Sequence, residues 1–69
     1  MSKVVKIEGM MCPHCEARVR DAFLKVEGVQ DVKVSHEKGT AELTLVNDMS
    51  NDDIKKVVEE AGYKYISVE

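Results

Sequence analysis

A chain of 69 residues makes one small domain and leaves no room for a deep substrate pocket beside its own core, which speaks against a stand-alone enzyme. At 43% hydrophobic and 33% charged, with ten basic and thirteen acidic residues scattered to a net −3, it has a globular composition without the basic block or aromatic content of a nucleic-acid binder. No apolar run nears the roughly 18 residues of a membrane span, and Met1 to Lys6 lacks the apolar centre of a signal peptide, so the expected location is the cytoplasm.

The first predicted strand, Lys3 to Glu8, alternates Val5 and Ile7 with Lys6 and Glu8, the pattern of a sheet with one wet face. Gly9 ends it and opens the stretch Gly9-Met10-Met11-Cys12-Pro13-His14-Cys15, which holds both cysteines of the chain. A helix follows over Glu16 to Val26, with Val19, Ala22, Phe23 and Val26 at i, i+3, i+4, i+7. Cys12 belongs to the loop, and Cys15 to the first turn of the helix and the edge of its buried face. There the free backbone N–H groups and the helix dipole favour a thiolate. Pro13 presets φ where a missing N–H costs nothing.

Gly28 closes the helix. Val32 and Val34 then alternate with Asp31, Lys33 and Ser35 in a second strand. His36-Glu37-Lys38-Gly39 is a turn, and Ala41, Leu43 and Leu45 give the inward face of a third strand. Ser50 and Asp53 form an S-x-x-D capping box. Ile54, Val57, Val58 and Ala61 stripe a second helix that Gly62 ends. The last strand is Tyr63 to Val68, with Ile66 and Val68 expected inward.

The order βαββαβ with two one-sided helices predicts an α+β fold: a ferredoxin-like open-faced sandwich, with a four-stranded antiparallel sheet and both helices on one face. Right-handed crossovers bring the cysteine loop, the Gly62-Tyr63 turn and the Ser35–Gly39 hairpin to one end. Counted along the sheet, the hairpin lies two strand spacings from the cysteines, roughly 10 Å.

A close cysteine pair in a reducing compartment serves metal or redox chemistry. Two thiolates without an evident further ligand suit a soft ion of low coordination, Cu(I) first and Hg(II) second. Structural zinc wants four ligands, and beyond Cys12 and Cys15 the chain has only His14 and His36 to offer. Zn(II) therefore needs water or a partner to complete its shell. The redox alternative, a small thiol–disulfide exchanger of thioredoxin type, asks for a longer chain and a proline near the site other than Pro13, the only one present.

Gly9-Met10-Met11-Cys12-Pro13-His14-Cys15 with Val19 resembles the GMxCxxCxxxV signature of the heavy-metal-associated domain, a family that includes small bacterial copper chaperones and N-terminal domains of metal-transporting P-type ATPases. Gly28-Val29, Val32 and Ala61-Gly62-Tyr63 also fall where the family has them, so the likeness spans the whole chain, 1–69, as a single domain. The resemblance implies Cu(I) held by Cys12 and Cys15, with Met10 packed beneath the loop, Met11 on its surface and Tyr63 beside the site. It also implies a metallochaperone that hands its ion to a P-type ATPase domain of the same plan. A pair of copies bridged by metal stays open on the same grounds. So does derivation from a longer ATPase, although a start at Met1 and an end just after the fourth strand fit a separate protein. Met11 stands where copper members often have threonine, and Pro13-His14 replaces the small residues frequent between the cysteines. The aspartate that precedes the first cysteine in zinc- and cadmium-handling relatives is absent, which keeps copper ahead.

Overall fold

Alternating strands and striped helices assemble as the sequence pattern requires. The computed structural model describes Met1 to Glu69 and contains β1 (Ser2–Glu8), α1 (Pro13–Leu24), β2 (Val29–Ser35), β3 (Thr40–Leu45), α2 (Asn51–Glu60) and β4 (Lys64–Val68). The four strands form one antiparallel sheet in the order β2-β3-β1-β4. This is the ferredoxin-like arrangement, with both helices laid over one face.

The inward residues of the sheet, Val5, Ile7, Val32, Ala41, Leu43 and Leu45, meet Val19 and Phe23 of α1 and Ile54 and Val58 of α2 in one buried cluster. Met10 and Met49, from the loops ahead of the two helices, complete it. Met49 carries no periodic signal. Its loop is tied to β1 by Lys3, whose ammonium donates to the Met49 carbonyl at 2.7 Å and pairs with Asp48 at 3.0 Å. Ala22, Val26, Val57 and Ala61 lie on the predicted helical stripes but are only half buried, because the helices diverge and these side chains line an open groove between them.

Three sequence expectations need correction. α1 starts at Pro13, three residues before Glu16, with Cys12 as its N-cap. The fixed φ of proline suits the first helical position, so the helix reaches back to the first cysteine. Its regular part also ends at Leu24, short of Val26. In β4, strict alternation puts Ile66 inward, yet Ile66 is 53% exposed while Tyr65 and Val68 pack on the core. The register slips there: Lys6 faces Ser67 but Ile7 faces Tyr65, so Ile66 is the extra residue of a bulge and the inward set changes across it.

At the opposite end of β1 from the cysteine loop, the Val4 amide donates to the Glu69 carbonyl at 3.2 Å and the Glu69 amide to the Val4 carbonyl at 2.7 Å. The Leu45 amide donates to the Met1 carbonyl at 2.7 Å, so the ladder reaches the first residue. No helix is long and apolar enough to cross a membrane.

Candidate metal centre

The loop from Gly9 to Cys12 turns the chain from β1 into α1 within four residues. Gly9 has φ +103°, a backbone state that side-chain-bearing residues rarely adopt. The ring of Tyr63 closes over it: a Cβ placed on Gly9 would lie 3.5 Å from Tyr63 Cδ1. Met10 points down into the core at 6% exposure, and Met11 points out at 84%. The two neighbouring methionines thus have opposite roles, one a floor for the loop and the other an apolar tip on its surface.

Cys12 is extended (φ −159°, ψ 167°) at the N-cap of α1, and Cys15 is the third helical residue. Amides of the first turn fold back on Cys12: Cys15 N donates to the Cys12 carbonyl at 3.0 Å and Glu16 N to the same oxygen at 3.4 Å. This brings the sulfurs to 3.5 Å, with both residues partly exposed and both thiols free. A disulfide needs about 2.05 Å. At the observed separation both sulfurs can reach one ion.

The Cys15 thiol is drawn down from its ordinary 9.0 to about 7. The Tyr63 hydroxyl is the largest cause, followed by the Met11 backbone amide and the Cys12 thiol, with partial desolvation opposing them. The same pairing pushes the Tyr63 phenol up, first because its proton is engaged by the Cys15 sulfur, then through partial desolvation and the charge on that sulfur. The closed polar contact of Cys15 in this structure is the one to Cys12. Tyr63 faces the sulfur without completing full hydrogen-bond geometry.

No third histidine, cysteine, aspartate or glutamate gathers with the cysteine pair. His14 is exposed on the outer side of the first turn. His36 engages Glu16 instead: one carboxylate oxygen of Glu16 accepts from the His36 amide at 2.7 Å and from its Nδ1 at 2.6 Å. These two bonds, the backbone one first, hold the Glu16 carboxyl below its usual range. The hairpin therefore meets the first turn of α1 through Glu16, the residue after Cys15. α1 packs over β2, which brings its first turn beside the β2–β3 turn. Apolar spacing does not signal this contact. A glutamate just after the cysteine pair and a histidine in the turn were its only trace.

Residues 4–64 match the model of the heavy-metal-associated domain. The chain belongs to this family. Among curated relatives, the mercuric reductase of Serratia marcescens is 43% identical over 60 residues, covering 87% of this chain but 13% of the reductase. The chain thus spans only about an eighth of that protein's length. The copper chaperone CopZ of Staphylococcus haemolyticus is 33% identical over 64 residues, 91% of this chain and 94% of the chaperone. Among solved structures, a copper binding domain from HMA7, a P-type ATPase, superposes with a TM-score of 0.84 at 30% identity, covering 100% of this chain and 99% of that one. As a heavy-metal-associated domain the chain is a metal-binding module, and its two thiols lie side by side at the start of α1.

Proposed function

We propose that this domain is a cytoplasmic metallochaperone that holds Cu(I) between Cys12 and Cys15 and passes it to a domain of like fold on a metal-transporting P-type ATPase, without turning over a substrate. The observation that carries the reading is a pair of partly exposed thiols 3.5 Å apart with no third donor gathered beside them. Two soft sulfurs and an open approach suit a soft, low-coordinate ion and leave hard or four-coordinate ions underserved. The open approach also supplies the transfer step. A thiolate of the receiving domain adds to the bound ion before Cys12 or Cys15 leaves, the displaced sulfur takes a proton or stays as thiolate, and the ion is never free. Further support comes from the copper chaperone whose length this chain nearly matches and from the copper binding domain of the P-type ATPase with which it superposes.

Anaerobic competition for Cu(I) against a calibrated chelator tests this reading. One equivalent should bind far more tightly than Zn(II), and a double Cys12→Ser, Cys15→Ser variant should lose most of that affinity. Undiminished copper binding by the double variant would end the proposal. A second reading, Hg(II) as the ion handled, is favoured by the 43% identity to a mercuric reductase and by the same two-sulfur geometry. Rapid onward transfer of Hg(II), with Cu(I) trapped and not passed to a second cysteine-pair domain, would select it. Catalytic reduction of disulfide substrates over many turnovers would instead select thiol–disulfide exchange.

A further inference from the structure

The two helices start differently. α2 has a closed cap, with Ser50 Oγ accepting from the Asp53 amide at 3.2 Å. α1 has none: its N-cap is Cys12, whose side chain makes no capping bond. A residue reserved for soft-donor chemistry occupies the position where serine or aspartate would tie down the first turn. That turn carries Cys15, so an unanchored start would leave one of the paired sulfurs on a fraying helix end.

The β2–β3 hairpin supplies an anchor from outside the helix, and it does so on both sides of the loop. On the strand side, the Ile7 amide donates to the Gly39 carbonyl at 2.8 Å, two residues before Gly9. On the helix side, Glu16, the residue after Cys15, takes two bonds on one oxygen from His36. Between these anchors the hairpin is itself closed, with the Lys38 amide donating to Ser35 Oγ at 3.3 Å. Gly39 at φ +66° lets its carbonyl reach β1. A Cβ there would come within 3.0 Å of the Ile7 carbonyl oxygen, so the hairpin and the strand are in close contact.

We infer that Glu16 and His36 are positioning residues for the metal loop: they form a latch that substitutes for the missing cap of α1, fixes Cys15 relative to Cys12, and slows metal release without touching the ion. The acceptor is a carboxylate and the donors are an amide and a ring N–H, so the latch requires a donor at the Nδ1 position and not a charge on the ring. His36→Asn keeps that donor, since the asparagine amide nitrogen stands about where Nδ1 does. His36→Ala removes it. Glu37→Ala, an exposed neighbour in the same turn, serves as control.

Two measurements on the full chain test the latch. Backbone order parameters by NMR on the reduced, metal-free protein report the loop directly. His36→Ala should drop Cys12 to Ala17 from the rigid range near 0.85 toward 0.6, while His36→Asn and Glu37→Ala should leave them in place. The rate of Cu(I) loss to a chelator should rise several-fold in His36→Ala and return near the wild-type rate in His36→Asn, with urea midpoints differing little among the three. The kinetic arm alone rests on the copper reading. If the wild type holds no Cu(I) while the order parameters respond as stated, the functional proposal falls and the latch stands. Unchanged order in His36→Ala overturns the latch. So does an asparagine variant that behaves like alanine, or a loss of urea stability large enough to account for the faster release.

Discussion

Of the groups that draw the Cys15 thiol toward neutrality, one hydroxyl contributes most. Tyr63 is the largest cause of the drop in Cys15 to about 7, and Tyr63→Phe keeps the ring over Gly9 while deleting that donor. The expected result is an alkylation profile of reduced, metal-free protein whose midpoint for Cys15 moves from about 7 toward 9.0. The sign of the linked stability follows. Between these two values the unfolded chain keeps a proton that the folded chain has released, so the metal-free fold gains stability as pH rises through the window and loses that gain as pH falls through about 7. Urea midpoints at pH 6.5 and pH 9 should therefore diverge in the wild type and converge in Tyr63→Phe. Equal pH dependence in the two proteins would assign the shift to the Met11 amide and the helix start instead.

At the scale of the elements, α2 is the helix with an ordinary beginning. Ser50→Ala removes a capping bond and should cost about 1 kcal/mol, read as a lower urea midpoint. It should not change the rate of copper loss, because α2 begins at the end of the molecule away from the cysteines. Both helices and all four strands were legible from apolar spacing, which reports burial of one face and nothing else. The cysteine pair was legible because it interrupts that spacing with donors of one chemical kind. What the spacing could not carry was contact made across it. Ile66 follows the alternation and is still turned out, because a bulge is a property of two strands and is invisible in either one. Met49 packs in the core from a loop whose backbone bonds to a lysine 46 residues away in sequence. The latch between Glu16 and His36 depends on α1 lying over β2, and a count of strand spacings within the sheet plane omits the helical layer.

For the molecule as a whole, one core serves both fold and site. Phe23 is fully buried in the last turn of α1, in the same cluster as Met10 beneath the cysteine loop. Phe23→Ala should cost about 3–5 kcal/mol, against a total of roughly 3–10 kcal/mol for a domain of this size at 0.05–0.15 kcal/mol per residue. The metal-free variant should unfold at a much lower urea concentration by far-UV circular dichroism, and Cu(I) should raise that midpoint, since an ion that binds only the folded state stabilises it by mass action. The backbone bonds between Val4 and Glu69 have a different bearing. They gather the first strand's start and the last strand's end at the pole away from the cysteines, about 17 Å along β1 from Gly9 at 3.4 Å per residue. A tether leaving from either end therefore departs behind the thiols. Several such units strung in series, or one hung from a larger body, could all turn their open sulfurs outward and be loaded together, with no linker passing in front of a neighbour's ion.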